Sequence, residues 1–429
     1  MVVMGGIIGG GIFLNPSIVA QRAGTPVGVM VTWIVGGVVA LAGALCFAEL
    51  GGRRPEAGGG YVYLSEAFGP LPAFLYGWTF LFVINAGGIA AIAVTFAHYL
   101  ADLVGLSTAW VTPTAVAAIV ALTAVNYVGV RMGAAVQNVL TVLKLAALGL
   151  LIGAGLLAGS AAGSGAGLAV RGSGVSIHNL GIALIPALFA YGGWAHANNV
   201  GGELRDGDRT LPRAIVLGMC GVIVVYVLAS AAYLRALGVE GLAGSSAPAS
   251  DVLRRTLGPI GSTIISLGIV TSTLGFVGIC IMSAPRILQA MAADGLALRS
   301  AAALHPRFRT PHVALMIQGS WAAVLTLSGT YGQLLDYVVF GDWIFFGLIA
   351  ATIFRYRRRD ARGEPAGTEA AGVSRYRAPL YPVLPALFVA TCAYVVVSSV
   401  ASNPLNALMG AGLILLGVPV FAWYRRARN

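Results

Sequence analysis

The chain has 429 residues, 58% of them hydrophobic and 10% charged, with a mean hydropathy of +0.86. A water-soluble domain of this length carries roughly 25% charged residues, so the composition excludes one and points to an all-α membrane protein with many spans. The net charge of +11 lies in short loops between apolar runs and not on one aromatic-laced face, which argues against a nucleic-acid partner.

A helix needs about 20 apolar residues to cross a bilayer. Twelve stretches qualify: 1–20, 27–50, 71–103, 110–127, 136–157, 180–202, 212–234, 260–289, 312–327, 333–353, 380–400 and 404–424. The first lacks the basic flank and small-residue cleavage site of a signal peptide. It carries "GGIIGGGIFLNP", Gly5 to Pro16, although glycine costs about 1 kcal/mol against alanine inside a helix. No GKS or GKT follows, which excludes a nucleotide loop. Within the third stretch, "LFVINAGGIAAIAVTF" (81–96) holds no acid or base. The fifth holds Lys144, the one lysine of the chain. It sits about eight residues inside the stretch, too deep for easy snorkelling, so a functional role is expected. A Gly/Ser/Ala linker (159–174) follows. The sixth stretch carries "FAYGGWAHANN", residues 189–199, with Pro186 just before it. A hydrophilic charged loop spans 355–377.

The first and sixth stretches lie five helices apart and share a glycine cluster near the middle. One cluster alone is as well explained by close helix packing. Two in corresponding positions are the mark of broken helices 1 and 6 in an inverted-repeat transporter. A break is tolerated at that depth where it lines a cavity or is buried in protein. Freed N–H groups at a half-helix start suit a carboxylate, and freed carbonyls suit an ammonium group. A ligand with both groups close together is an amino acid.

With twelve spans both termini share one side, and 20 basic loop and tail residues fall there against 5 on the other. The positive side is cytoplasmic, so both termini are expected inside, in a plasma membrane. Cys46, Cys220, Cys280 and Cys392 each stand alone in apolar runs, so neither a metal site nor a disulfide framework is expected. There is no HExxH and no Ser/His/Asp or Cys/His constellation, hence no expected catalytic residue or cofactor. Glu49, beside arginines such as Arg54, and Glu203 are candidate gate residues. Asp336 is expected at the outer interface, and Asp342 is the deeper acid, a candidate for the pocket wall. His196 reads as a hydrogen-bonded structural residue, and Asn198 and Asn199 as supports for the unwound backbone.

At these residues the chain resembles the amino acid–polyamine–organocation (APC) superfamily, most of all its L-amino-acid transporter branch. "IIGGGIFLNP" resembles the helix 1 signature. "CFAELGGRRPEAGGGYVYLSEAFGP" (46–70), "NYVGVRMGAAVQNVLTVLKL" (126–145), "FAYGGW" (189–194), "RTLPRAI" (209–215) and "SAPRILQAMAADGLAL" (283–298) resemble later family segments. The resemblance implies a five-plus-five inverted repeat, 1–157 and 180–353, with accessory helices in 380–424. It implies that Gly9, Gly10 and Gly11 take the substrate carboxylate. Ile7, Phe189, Ala190 and Gly192 would take the ammonium group, and Tyr191, Gly193 and Trp194 would shape the pocket and its gate. A lysine at Lys144 would stand in for the sodium ion of related transporters, giving sodium independence. As a fixed cation it suits exchange; able to release a proton, it suits proton-coupled uptake.

Two departures stand out. The family's central serine is Gly10 here. Only about eight residues precede the break, which is expected to reflect a late start or a trimmed chain; in a complete chain the intracellular gate would be impaired. The expected cargo is a neutral L-amino acid. The loop 101–110 lacks the cysteine through which animal relatives pair with a single-span glycoprotein, so no disulfide-linked accessory subunit is expected. The rival reading is a sensor that binds amino acids and moves none.

Overall fold

The computed structural model describes residues 2–158, 177–201, 206–329, 331–363, 376–402 and 404–426. Among them every regular element is helical. The chain order is α1 (Val2–Ile7), α2 (Gly11–Ala23), α3 (Pro26–Arg53), α4 (Gly60–Phe68), α5 (Pro70–Thr79), α6 (Ala86–Val104), α7 (Val111–Val128), α8 (Val130–Leu157), α9 (Ile177–Tyr191) and α10 (Ala195–Asn199). There follow α11 (Gly207–Ala243), α12 (Pro248–Leu257), α13 (Pro259–Ser283), α14 (Pro285–Ala293), α15 (His312–Ser328), α16 (Tyr331–Ala361), α17 (Val383–Ser402), α18 (Pro404–Leu415) and α19 (Gly417–Arg426).

Nine helices among the described residues are long and apolar enough to cross a membrane. They correspond to nine of the twelve stretches. The other three are 1–20, which is interrupted; 312–327, a 17-residue helix; and 333–353, which lies inside α16. Helix boundaries follow local chemistry. Gly24 ends α2 at φ 70°, a conformation that costs a side-chain-bearing residue. Thr25 then caps α3 by accepting a 3.0 Å bond from Gly28 N–H, and Pro26 supplies the preset first turn.

Three elements depart from the hydropathy reading. Span 71–103 is not one regular helix: α5 passes into a π-helical turn, Phe80–Asn85, before α6. Such turns widen the helix and gather at functional sites. Span 260–289 is divided at Pro285, where α14 begins. The amphipathic α12, in a segment read as a loop, is a helix.

The interrupted helices occupy the middle of the bundle. α2 packs along α9, while α1 lies against α8, α11 and α13. α3 packs along α11. Trp33 of α3, Tyr191 of α9 and Tyr226 of α11 form a buried trio, with ring centroids 5.0–5.7 Å apart. Burying three such rings fixes the spacing of the helices that flank both interruptions.

Candidate functional site

Helix α1 ends at Ile7 and α2 begins at Gly11; α9 ends at Tyr191 and α10 begins at Ala195. The two interruptions touch. A Cβ on Gly193 would lie 2.2 Å from Gly6 O, and one on Gly11 would lie 3.0 Å from Ala190 Cα. The glycines therefore serve packing as well as opening: only hydrogen at these positions lets the two chain segments meet.

A cavity of about 120 Å³ opens where they meet. Ile7, Gly9, Gly10, Gly11, Phe189, Ala190, Gly192 and Gly193 line it, and α16 adds Asp342, Trp343 and Phe346. These are eight of the ten residues expected at the site. Tyr191 and Trp194 are not in its wall. Tyr191 turns away, donating to Trp33 O at 3.0 Å. Trp194 is fully buried among Phe47, Phe346 and Phe388. Their rings are held by apolar packing behind the wall, which sequence position alone does not reveal.

Polarity in the cavity comes mainly from backbone. The N–H groups of Gly9 and Gly10 find no acceptor among the described residues, whereas in the first turn of α2 Phe13 and Leu14 N–H already donate to Gly10 O, which leaves the N–H groups of Gly11 and Ile12 as the open donors of that helix start. Carbonyls of the same segment are turned the other way. Gly5 O and Ile8 O accept from Lys144 Nζ at 3.1 and 2.6 Å, and Ser272 O accepts a third bond at 3.3 Å. Lys144 is wholly buried, so α8 holds the end of α1 and α13 through one ammonium group. Ser272 adds its hydroxyl to Gly9 O at 3.3 Å.

Tyr226, which no sequence pattern singles out, ties the two interruptions together. Its hydroxyl lies 3.2 Å from both Ile7 O and Ala190 O; with one proton it donates to one of them at a time. One tyrosine in an apolar run has no periodic signature. Tyr233, two turns on, donates to Ile12 O at 3.1 Å.

The remaining expected residues divide. His196 lines the cavity and its Nδ1 lies 2.7 Å from Ser283 Oγ, a hydrogen-bonded placement. Asn198 donates to Phe47 O at 2.8 Å and Tyr63 OH at 3.1 Å. Asn199 O accepts from Gly58 N–H. The Asn198 side chain thus braces α10 against α3, while Asn199 contributes only its backbone carbonyl to the loop before α4, its buried side-chain amide having no hydrogen-bond partner among the described residues; neither side chain bonds the unwound backbone. Glu203 and the linker 159–174 lie outside the described residues, as does the side chain of Asp336.

Glu49 is away from the cavity, fully buried at the end of α3. Its partners are Arg53 and Arg357, not Arg54. Arg357 reaches it through Nε at 3.0 Å and Nη2 at 2.6 Å, Arg53 through Nε at 3.0 Å, and Ala378 N–H donates at 2.8 Å. Arg53 also grips Asp360 with two bonds. Arg54 instead pairs with Glu66 and Glu56. Breaking a buried pair from one side leaves an uncompensated charge, at a cost of about 3–5 kcal/mol. Glu49→Gln is accordingly expected to lower the unfolding midpoint in detergent by several degrees. Glu56→Gln, at a 44% exposed position, is expected to cost under about 1 kcal/mol. Equal shifts in scanning fluorimetry would remove Glu49 from the list of structural ties.

Comparison with known proteins gives this architecture a family. The amino acid permease family model matches residues 1–420. The serine/threonine exchanger SteT of Bacillus subtilis is 31% identical, with 98% of this chain and 93% of that protein aligned. The b(0,+)-type amino acid transporter 1 of Mus musculus is 32% identical over 84% of this chain and 75% of that protein. The cystine/glutamate transporter of Homo sapiens is 31% identical over 98% and 82%. Such relatives are membrane transporters and not enzymes. The chain, a multi-span membrane protein with a cavity between two opened helices, belongs to the amino acid permease family of the APC superfamily.

Proposed function

We propose that the protein carries neutral L-amino acids across the plasma membrane by alternating access, without sodium, exchanging one amino acid for another. The observation that carries this is the pair of touching interruptions around one cavity, with free N–H groups on Gly9 and Gly10. The cargo carboxylate meets those N–H groups and the first turn of α2. Its ammonium group meets carbonyls at Ile7 and at the end of α9. The wall otherwise consists largely of Phe80, Ile84, Phe276, Trp343 and Phe346, suited to an uncharged side chain. Lys144 supplies a fixed positive charge to Gly5 O and Ile8 O, where a sodium-dependent relative would need an ion, and so removes the need for one.

The fold behind this reading is a twelve-span bundle of two inverted five-helix halves, 1–157 and 180–353, with 380–424 as accessory helices and both termini cytoplasmic. We propose that it works without a disulfide-linked subunit.

Purified protein in liposomes tests the proposal. Entry of labelled neutral amino acid that requires unlabelled amino acid inside, and ignores both sodium and a proton gradient, is the expected result. Entry into empty vesicles driven by the gradient would replace exchange with proton symport and make Lys144 the first titrating residue to test. Binding with no entry under either condition would make the protein a sensor.

A further inference from the structure

Beyond its apolar stretch, α16 ends in two unlike faces. One is bound into the protein. Tyr356 OH donates to Glu66 Oε2 at 2.5 Å, Arg357 clasps Glu49, and Asp360 accepts two bonds from Arg53. The other face is basic. Arg355, Arg358 and Arg359 follow the i, i+3, i+4 spacing of a single helix face, and Arg362, just past the end of the helix, falls at i+7. Arg355 and Arg358 are exposed and Arg359 is half-buried. Among the described residues no acid pairs with these three. The one acid of these turns, Asp360, is taken by Arg53 at 2.8 Å and lies 3.8 Å from Arg377. Like charges at this spacing destabilise a helix, so the row is costly unless an anion meets it.

Its depth is fixed from two sides. Arg355 stands two residues past the apolar stretch 333–353, where a spanning helix leaves the hydrocarbon. Tyr381, just before α17, lies with its ring 4.2 Å from the Arg357 guanidinium and 5.8 Å from the Phe354 ring. Tyrosine collects at the membrane–water boundary. Leu380 and Val383 beside it are 75% and 67% exposed, open to acyl chains.

We propose that this row is a binding surface for the phosphodiester headgroups of anionic phospholipids. The lipids belong to the leaflet on which α16 ends, cytoplasmic in the orientation proposed above. Guanidinium groups match phosphate oxygens two at a time, and basic residues clustered beside a span are drawn to an anionic membrane surface. A zwitterionic lipid brings its own ammonium group and leaves the row uncompensated. A soluble phosphate lacks the acyl chains that meet Leu380 and Val383. The same turns hold Glu49, Arg53 and Glu66 on their other face, so a bound headgroup steadies the helix that walls the cavity with Trp343 and Phe346. The inference is independent of which amino acid is carried.

The test titrates the purified full chain in detergent with phosphatidylglycerol or phosphatidylcholine and reads bound lipid by native mass spectrometry. The native chain is expected to prefer phosphatidylglycerol. Arg355→Gln/Arg358→Gln/Arg359→Gln is expected to bind it about a hundredfold more weakly, about fivefold for each arginine. Arg358→Gln alone, at about fivefold, carries the same test where the triple variant fails to fold. Arg209→Gln/Arg213→Gln/Arg299→Gln removes as much charge from exposed positions elsewhere and is expected to bind like the native chain. Equal retention of the two lipids by the native chain would overturn the inference. So would equal binding by the two triple variants, whether weakened or not, since the attraction would then follow net charge and not this row. Displacement of phosphatidylglycerol by millimolar inorganic phosphate would also overturn it, making the row a site for free anions.

Discussion

Replacing Lys144 by alanine or methionine is expected to slow exchange about a hundredfold. The side chain makes three bonds, two of them to the interrupted helix, at Gly5 O and Ile8 O. A hydrogen bond to a charged group is worth about 1.5–3 kcal/mol net. Losing two without replacement costs about 3 kcal/mol, and 1.4 kcal/mol is a factor of about ten. Ser272 Oγ lies 3.4 Å from Ile8 O and 3.3 Å from Gly9 O, so part of the segment stays held. Gly5 O then has no such second donor among the described residues. The methionine variant fills the space without the charge and separates packing from electrostatics. Initial rates of exchange in liposomes, with sodium absent and present, are the measurement. Retention of exchange within about threefold in Lys144→Met would show that the charge does not hold α1 in its working position. Rescue of that variant by sodium would show the reverse, that a diffusible cation can occupy the vacated place.

Hydropathy made nine spans legible because an apolar run of bilayer length has few soluble alternatives. It located the interruptions as well, since glycine clusters at 9–11 and 192–193 contradict helix propensity inside apolar runs. Lys144 and Asp342 were visible for the related reason that a charge inside such a run demands a cause. Partners were not visible. Arg53 and Arg54 both follow Glu49 closely, and only the fold brings Arg357 across 308 positions to it while sending Arg54 to Glu66. The π-helical turn at Phe80–Asn85 was hidden because mean hydropathy is indifferent to a one-residue change of register. Tyr226 was hidden because a hydroxyl on an aromatic ring barely alters the apolar signal, yet its reach to Ile7 O and Ala190 O appears only when α11 is packed against both interruptions. Tyr191 and Trp194 carry the complementary lesson: adjacency to Gly192 and Gly193 in the chain did not place their rings in the cavity wall.

Gly193→Ala is expected to abolish transport. Gly193 adopts φ +105°, and an added Cβ would sit 2.2 Å from Gly6 O, 2.8 Å from Gly6 C and 3.3 Å from Ile7 Cα. Every one of these is a backbone atom, so no rotamer change relieves the contact. The left-handed backbone alone costs about 1–2 kcal/mol for a residue with a side chain. The clash adds a displacement of α1 by on the order of 1 Å, since non-bonded carbon contacts settle near 3.5 Å. That movement draws Gly5 O and Ile8 O from Lys144 and Ile7 O from Tyr226 at one stroke. Gly24→Ala provides the control, because Gly24 also has positive φ, at +70°, but meets nothing within 4 Å. It is expected to lose about 1 kcal/mol of stability and to keep exchanging amino acids. Unfolding midpoints and exchange rates of the two variants therefore separate strain from contact. Equal behaviour would mean that the two interruptions tolerate being pushed apart, and the bonds from Lys144 and Tyr226 would then be followers of the cavity's shape and not what sets it. Loss of exchange in Gly193→Ala alone makes the Gly6–Gly193 contact the point on which both halves of the site are aligned.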